Sequence, residues 1–279
     1  VAISHPRSGK LWRSGFLPSE YQGTRFSPDE TVPEKMIRYL KNPSQDKPAQ
    51  RQQLDLIQQL NGLHLADRST DGFLEGRIRA METAFRMQFA ASEAFDIRKE
   101  TKSVRGLYGE NTFGNSCLLA RRLVERGVRY VQVFSGPGQP WDDHHDINKN
   151  LRGRCPDVDR ACAGLITDLK QRGLLDETLI VWSGEFGRTP VSEAGTGRDH
   201  NPYGFTAWMA GGGIKGGVAH GATDEFGFRA VENRVNIHDL HATLLHQMGI
   251  DHEQLTYRFS GRDYRLTDVH GRVLHELIA

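Results

Sequence analysis

The sequence lacks the patterns that mark several large classes of protein. No apolar run approaches the roughly 20 residues that a membrane-spanning helix needs, so no membrane span is expected. The three cysteines, Cys117, Cys155 and Cys162, form no C-x-x-C pair and indicate core or surface thiols rather than a metal site or disulfide framework. A net charge of +1 offers no electrostatic argument for a nucleic-acid partner, and we expect none.

The start of the chain also lacks an initiating methionine and a signal peptide. Residues 1–5 resemble the interior of a protein, and we expect that the natural N-terminus is missing through processing or truncation. A processed export signal would leave the same start, so this feature alone does not settle localisation.

What is present predicts an α/β protein. The 279 residues, 37% hydrophobic and 25% charged, suffice for one large α/β domain or two small ones. Residues 1–50 are rich in Pro, Gly, Ser and charge and predict loops, with one short helix around Glu34 to Leu40. Residues 51–100 carry apolar residues at helical spacing, which predicts a helical hairpin covering a sheet. Residues 101–279 form the α/β core of what we expect to be one domain overall.

The core is predicted to contain a β-α-β crossover. Residues 128–134 (V-R-Y-V-Q-V-F) predict one strand, and residues 178–182, a short apolar run with β-branched residues, predict another. An amphipathic helix over 156–172 separates them. Because the loops that follow parallel strands lie at the same sheet edge, we expect the loop that begins at Asp142 to lie beside Glu185.

The loop before that helix is a candidate metal site. Trp141 is followed by five consecutive Asp and His residues that end at Asp146, and such side chains are common ligands of zinc, manganese and iron. A polar loop with a capping Asp is the alternative. Further along, Asp199 and His200 lie in a Gly-rich loop that could fold back onto the same edge.

Ser116 has two interpretations. It precedes an apolar helical run that stops at Gly127, so Asn115 or Ser116 can cap that helix. A hydroxyl at a helix N-terminus also lies in a positive field that favours anions. This position makes Ser116 a candidate nucleophile or a contact for phosphate or sulfate.

Several motifs together resemble the domain of unknown function 1501 family. They are W-S-G-E-F-G-R-T-P, G-R-D-H-N-P, A-G-G-G-I-K-G-G, C-L-L-A-R-R-L-V-E-R-G-V-R-Y-V-Q-V, W-D-D-H and D-L-H-A-T-L-L. The resemblance covers essentially the whole chain and is dense from residue 100 to 265. That family is grouped with the alkaline phosphatase-like superfamily, which includes phosphatases and sulfatases. The resemblance thus implies a three-layer α/β/α fold with a mainly parallel central sheet, here lacking its N-terminal strand, and an exported or periplasmic protein.

The resemblance also implies a ligand set. Asp142 and His144 look like the superfamily's Asp and His before a long helix, and His200, with Asp199, looks like the later His. Where superfamily members end a strand in Asp-His-Gly, this chain has Glu185, Phe186 and Gly187. Glu185 can replace Asp as a ligand, but Phe186 cannot replace His, so one of two metal positions is weakened. The implied ion is divalent: zinc first, with manganese or calcium as alternatives.

The implied function is metal-dependent hydrolysis of phosphate or sulfate esters, with a small molecule or a polysaccharide as the esterified substrate. Ser116 would be the nucleophile, and Arg188 and Arg198 would neutralise oxyanion charge. The alternative is a non-catalytic binding or structural member with a degenerate metal site. A zinc amidase or peptidase is disfavoured because the sequence has no H-E-x-x-H motif.

Overall fold

The computed structural model of the chain divides into two compact units, which we describe separately. The first unit contains residues 1–140 and 160–162, and the second contains 141–159 and 163–279. Much of the predicted loop-rich segment, including residues 4–11 and 37–43, lies outside the described residues. The structure describes residues 1–3, 12–18, 21–27, 29–36, 44, 46–67, 72–192 and 195–279.

The first unit contains a small parallel sheet. Strand β1 (Ala2–Ile3) lies between β2 (Arg25–Phe26) and β3 (Gln132–Val133), with Ala2 opposite Arg25 on one side and Gln132 on the other. Ile3 and Phe26 are fully buried. Strands therefore form within residues 1–50, where the sequence predicted loops, and β3 lies within the predicted strand 128–134.

Among the described residues, five α-helices lie between β2 and β3 in the sequence. Two long helices lie where the sequence predicted a helical hairpin. A short one overlaps the helix predicted around Glu34 to Leu40, whose last four residues are not described. The helices are α1 (Pro33–Met36), α2 (Lys47–Asp67), α3 (Gly72–Phe95), α4 (Lys102–Tyr108) and α5 (Thr112–Val124).

A buried ionic network ties α5 to the segment after α3. Arg121 and Arg122 are both buried, and both guanidinium groups pair with Glu100, at 3.0 Å from Arg121 Nη2. Arg121 also pairs with Glu125 at 2.8 Å, and Arg122 Nε donates to Ala94 O at 2.9 Å. Burial alone would raise the pKa of Glu100, but the two guanidinium groups hold that pKa below its ordinary value.

The described part of the second unit contains two α-helices and four antiparallel strand pairs. Helix α6 (Ile147–Gln171) is the first helix of this unit along the chain, although its residues 160–162 group with the first unit. The strand pairs are β4 (Ile180–Trp182) with β7 (Trp208–Ala210), β5 (Gly187–Arg188) with β6 (His200–Asn201), β8 (Ala222–Thr223) with β9 (Ala230–Glu232), and β10 (Thr256–Phe259) with β11 (Arg262–Arg265). Helix α7 (Ile237–Gln247) lies between the last two pairs in sequence.

The predicted β-α-β crossover is wrong. β3 pairs with β1, whereas β4 pairs antiparallel with β7, and Val181 and Trp182 of β4 are exposed. Glycines that follow β7 permit this antiparallel pairing. A side chain at Gly211 would lie 2.4 Å from Leu175 O, so only glycine lets the chain fold back against the segment before β4. An apolar run of this length does not specify a parallel or antiparallel partner.

The chain is thus a mixed α/β protein with one small parallel sheet and several helices. The described strand pairs outside that sheet are all antiparallel, so the described residues do not form the predicted mainly parallel central sheet. None of the described helices is both long and apolar enough to cross a membrane.

Replacing the shared acceptor of the buried network tests its contribution to stability. We expect Glu100→Gln to lower the free energy of unfolding by about 3 kcal/mol, because two buried guanidinium groups lose their common counter-charge. Because the pKa of Glu100 is depressed in the folded state, this stabilisation is present above the pKa of an unfolded glutamate and is lost as pH falls towards the folded pKa. Urea unfolding at several pH values measures both effects.

The matched control is Glu75→Gln, which removes an exposed pair with Arg79. It should change the free energy of unfolding by less than about 0.5 kcal/mol. Equal effects of the two substitutions would contradict the assignment of Glu100 as a structural anchor.

Candidate metal centre

A two-stranded ribbon and one loop position the candidate site. In the β5–β6 pair, Arg188 lies directly opposite His200. Directly opposed residues on antiparallel strands are close neighbours, so these two side chains share one region of the ribbon. The loop that carries Asp142 and His144 precedes α6 and meets them there.

One oxygen of Asp142 is the common partner of three side chains. Its Oδ1 atom lies 2.7 Å from Arg188 Nη2, 2.8 Å from His200 Nε2 and 3.2 Å from His144 Nε2. The hydrogen bonds from His200 and Arg188 lower the pKa of Asp142 to about 2. The carboxylate is therefore ionised throughout the neutral range.

His144 lies between two carboxylates. Its Nδ1 atom is 3.2 Å from Asp199 Oδ1, and its Nε2 atom is 3.2 Å from Asp142 Oδ1. A neutral imidazole carries only one N–H, so it can donate to only one of these oxygens. The other ring nitrogen then directs its lone pair at a carboxylate oxygen. A cation between these two atoms would bind both of them and remove their repulsion.

The three donors have the spacing of a metal site. Ligand atoms of Asp142, His144 and His200 all lie within 4.8 Å of one another. Two ligands at the usual zinc distance from a tetrahedral ion are about 3.3 Å apart, close to the 2.8 Å and 3.2 Å separations from Asp142 Oδ1. The side chains are 27% to 47% exposed, so solvent and small solutes reach them.

The loop that carries Asp142 and His144 is fixed by its buried neighbour. Asp143 is only 6% exposed, and its carboxylate accepts hydrogen bonds from two side chains of α6. Arg154 Nη1 lies 2.6 Å from Asp143 Oδ2, and Asn150 Nδ2 lies 2.7 Å from Oδ1. Asp143 thus holds the loop, while its neighbours Asp142 and His144 face the candidate site.

Residues 196–198 run against this loop. Thr196 accepts hydrogen bonds from Asp146 N through its hydroxyl at 3.0 Å and from Ile147 N through its carbonyl at 3.1 Å, so it satisfies the first N–H groups of α6. Arg198 N donates to Asp143 O at 2.9 Å. A side chain at Gly197 would lie 1.9 Å from the carbonyl atoms of His144, so the two backbones touch at this residue.

The structure places the remaining predicted ligands outside the group of three. Asp199 contacts the far nitrogen of His144, as described above. Glu185 is exposed and is not among the donors that lie together in the described residues. Its neighbour Phe186 packs its ring on His200, with the ring centroids 4.3 Å apart. A ligand role for Glu185 stays a prediction.

The two arginines are hydrogen-bonded to the loops around the site. Besides Asp142, the guanidinium of Arg188 contacts Trp141 O at 3.1 Å and Arg198 O at 3.3 Å, so it joins the loop before α6 to the start of β6. Arg198 Nη1 donates to Gly197 O at 2.7 Å. Both side chains therefore have defined places at the site, and their contact with substrate stays a prediction.

The predicted capping role of Asn115 or Ser116 is wrong. Helix α5 begins earlier, and Asn111 caps it by accepting a hydrogen bond from Gly114 N at 2.8 Å. Ser116 is 2% exposed inside the helix, where its hydroxyl donates to Thr112 O at 2.8 Å. The polar residue that comes first in Asn-Thr-Phe-Gly was the signal for the correct cap.

Sequence reasoning missed the residues that support the site. The loop motif indicated that Asp143 was a polar loop residue, but nothing in the sequence marked it as buried. Gly197 and Thr196 contact residues about 50 positions earlier, and one sequence carries no signal of such a contact.

A sequence model of the family described as "Protein of unknown function (DUF1501)" matches residues 2–278. No curated protein and no solved structure matches the chain.

Substituting the glycine at the backbone contact tests how the site is held. We expect Gly197→Ala to lower the free energy of unfolding by about 1–3 kcal/mol, because the new methyl group would overlap the His144 carbonyl and force the loops apart. Thermal or urea unfolding measures the loss. Chemical shifts of the His144 and His200 rings measure the displacement.

Gly216→Ala is the matched control, since a side chain at that glycine meets no atom within 4 Å. It should leave both stability and ring shifts close to those of the wild type. A Gly197→Ala protein that behaved like this control would show that residues 196–198 do not press on the loop.

Proposed function

The chain belongs to the DUF1501 family, and we propose that it is a metal-dependent hydrolase of phosphate or sulfate esters. Asp142, His144 and His200 would hold one divalent ion. The observation that carries the proposal is the position of His144 between two carboxylates, beside a second imidazole that converges on the same Asp142 oxygen.

The donor set favours some ions over others. Two imidazole nitrogens and one carboxylate oxygen suit zinc, and they also suit manganese and iron. Calcium is the weakest candidate, because it takes six to eight oxygen ligands. Three protein ligands leave coordination positions for water and substrate, as in catalytic rather than structural zinc sites.

When bound, the ion would polarise an ester oxygen and lower the pKa of a water molecule. Arg188 would keep Asp142 ionised and correctly oriented through the 2.7 Å contact. Arg198, which makes one described side-chain bond, to Gly197 O, would turn its remaining N–H groups towards the oxyanion. A solvent water is the proposed nucleophile, because the Ser116 hydroxyl is buried and already donates to Thr112 O.

The proposal includes the three-layer α/β/α fold of the alkaline phosphatase-like superfamily, which the resemblance implies. The three-stranded parallel sheet with its flanking helices supports it. An exported location is proposed on the same resemblance, and it has no separate structural support.

The second candidate function is a non-catalytic binding module. Two observations favour it: Ser116 is committed to its helix, and Phe186 packs on His200 where the superfamily has a second histidine ligand. Such a module would bind a metal ion or an ester without turning it over. Activity, rather than metal content, separates the two functions.

Metal content tests the site directly. We expect about one equivalent of zinc, manganese or iron in purified wild-type protein, and a loss of most of it in His200→Ala, because one of three ligands is removed. Elemental mass spectrometry measures the content after dialysis. His64→Ala is the control, since His64 is an exposed residue of α2 in the other unit, and it should retain the metal. Wild-type protein that stays metal-free after dialysis against each ion would overturn the site.

Ester hydrolysis tests the reaction. We expect the metal-loaded protein to cleave a chromogenic phosphate or sulfate monoester, and a chelator to stop the reaction until metal is restored. His200→Ala should lose more than about 100-fold in kcat/KM, which exceeds the usual cost of losing an outer-shell partner. Stoichiometric metal without turnover of either ester would favour the binding module.

A further inference from the structure

We infer that Asp199 is a positioning residue, whose carboxylate fixes the tautomer and ring orientation of His144. The inference rests on the proposed function, since it concerns how one of the three metal ligands is presented. The sequence grouped Asp199 with the metal ligands themselves. The geometry instead places its carboxylate against His144, one of the three ligands.

The contact that assigns this role is between Asp199 Oδ1 and His144 Nδ1, at 3.2 Å. If the carboxylate accepts the Nδ1 proton, the neutral ring carries no proton on Nε2. That nitrogen then directs its lone pair towards Asp142 and His200, which are the other two donors. Metal-bound histidines usually donate their second ring N–H to a carboxylate or carbonyl in this way, which raises their basicity as ligands.

The backbone of Asp199 is held independently of its side chain. Thr189 N donates to Asp199 O at 2.9 Å, and Asp199 N donates to the Thr189 hydroxyl at 3.0 Å. These two bonds lie next to the β5–β6 pair and extend it. Because they involve no atom of the carboxylate, these two bonds can persist when the Asp199 side chain is changed.

The second imidazole is oriented by a different contact. His200 Nε2 contacts Asp142, and within the described residues no carboxylate or carbonyl is bonded to its Nδ1 atom. Instead, the Phe186 ring packs on it with centroids 4.3 Å apart and planes inclined by 38°. Asp199 therefore acts on one ligand of the pair, and its removal should affect His144 and leave the ring of His200 unchanged.

The experiment compares Asp199→Leu and Asp199→Asn with wild type. The leucine removes every acceptor, whereas the asparagine keeps an oxygen that can accept the Nδ1 proton. Long-range ¹⁵N NMR of the metal-free protein reports which nitrogen of His144 and His200 carries the proton. Zinc titration against a competing chelator reports the affinity. Asp263→Asn is the control, because the described ion pair of Asp263 is an exposed one with Arg258.

We expect wild type and Asp199→Asn to carry the His144 proton on Nδ1, and Asp199→Leu to shift it to Nε2. Zinc affinity should fall by about 10- to 100-fold in Asp199→Leu and by less in Asp199→Asn. The His200 tautomer and the control should not change. A loss of affinity without any change in the His144 tautomer would overturn the positioning role, because a merely structural effect would produce it.

This outcome is separable from failure of the proposed function. If wild type binds no zinc, the metal site fails, while the tautomer of His144 in the metal-free proteins still tests the contact with Asp199. If wild type binds zinc and both Asp199 variants match it in affinity and tautomer, only the positioning role fails. Unfolding curves of all four proteins show whether each variant remains folded.

Discussion

The candidate centre depends on one oxygen atom, Oδ1 of Asp142. Arg188, His200 and His144 come from a strand, its antiparallel partner and a loop, and all three converge on this atom. A carboxylate that stays ionised at neutral pH attracts both the guanidinium of Arg188 and the imidazole N–H of His200. The positive charge of Arg188 also offsets the negative charge that would otherwise accumulate between two carboxylates. Asp142 thus holds Arg188 and His200, while Asp199 contacts the other ring nitrogen of His144.

Backbone contacts make that convergence specific. Asp143 anchors the loop to α6 through Arg154, and Gly197 allows the opposite segment to touch the backbone at His144. Thr196 caps α6 from the same segment, so the start of the helix and the site are held by one set of bonds. Donors placed in advance lose little conformational freedom when a ligand binds, which favours affinity.

The sequence predicted the residues of the site better than the strand topology that brings them together. Asp142 and His144 from the run after Trp141 lie together with the later His200, because polar residues of ligand type were concentrated there. The predicted β-α-β crossover failed, since Gly211 allows an antiparallel return that an apolar run alone cannot reveal. Ser116 was misplaced because α5 begins at Thr112 and is capped by Asn111, about one turn before the predicted cap. Contacts across 50 residues, such as Gly197 with His144, leave no local pattern to read.

Stability alone does not account for this arrangement. Asp142, His144 and His200 are 27% to 47% exposed, and ion pairs at such exposure contribute little to the free energy of folding. Nevertheless, a buried carboxylate at Asp143 and a glycine that tolerates no side chain hold them in place. Buried supports for partly exposed imidazole and carboxylate groups are what a binding site requires. In the other cluster, by contrast, the carboxylate of Glu100 is only 11% exposed and pairs with two buried guanidinium groups. The contrast between the two ionic clusters of this chain therefore favours a structural role for the first and a ligand-binding role for the second.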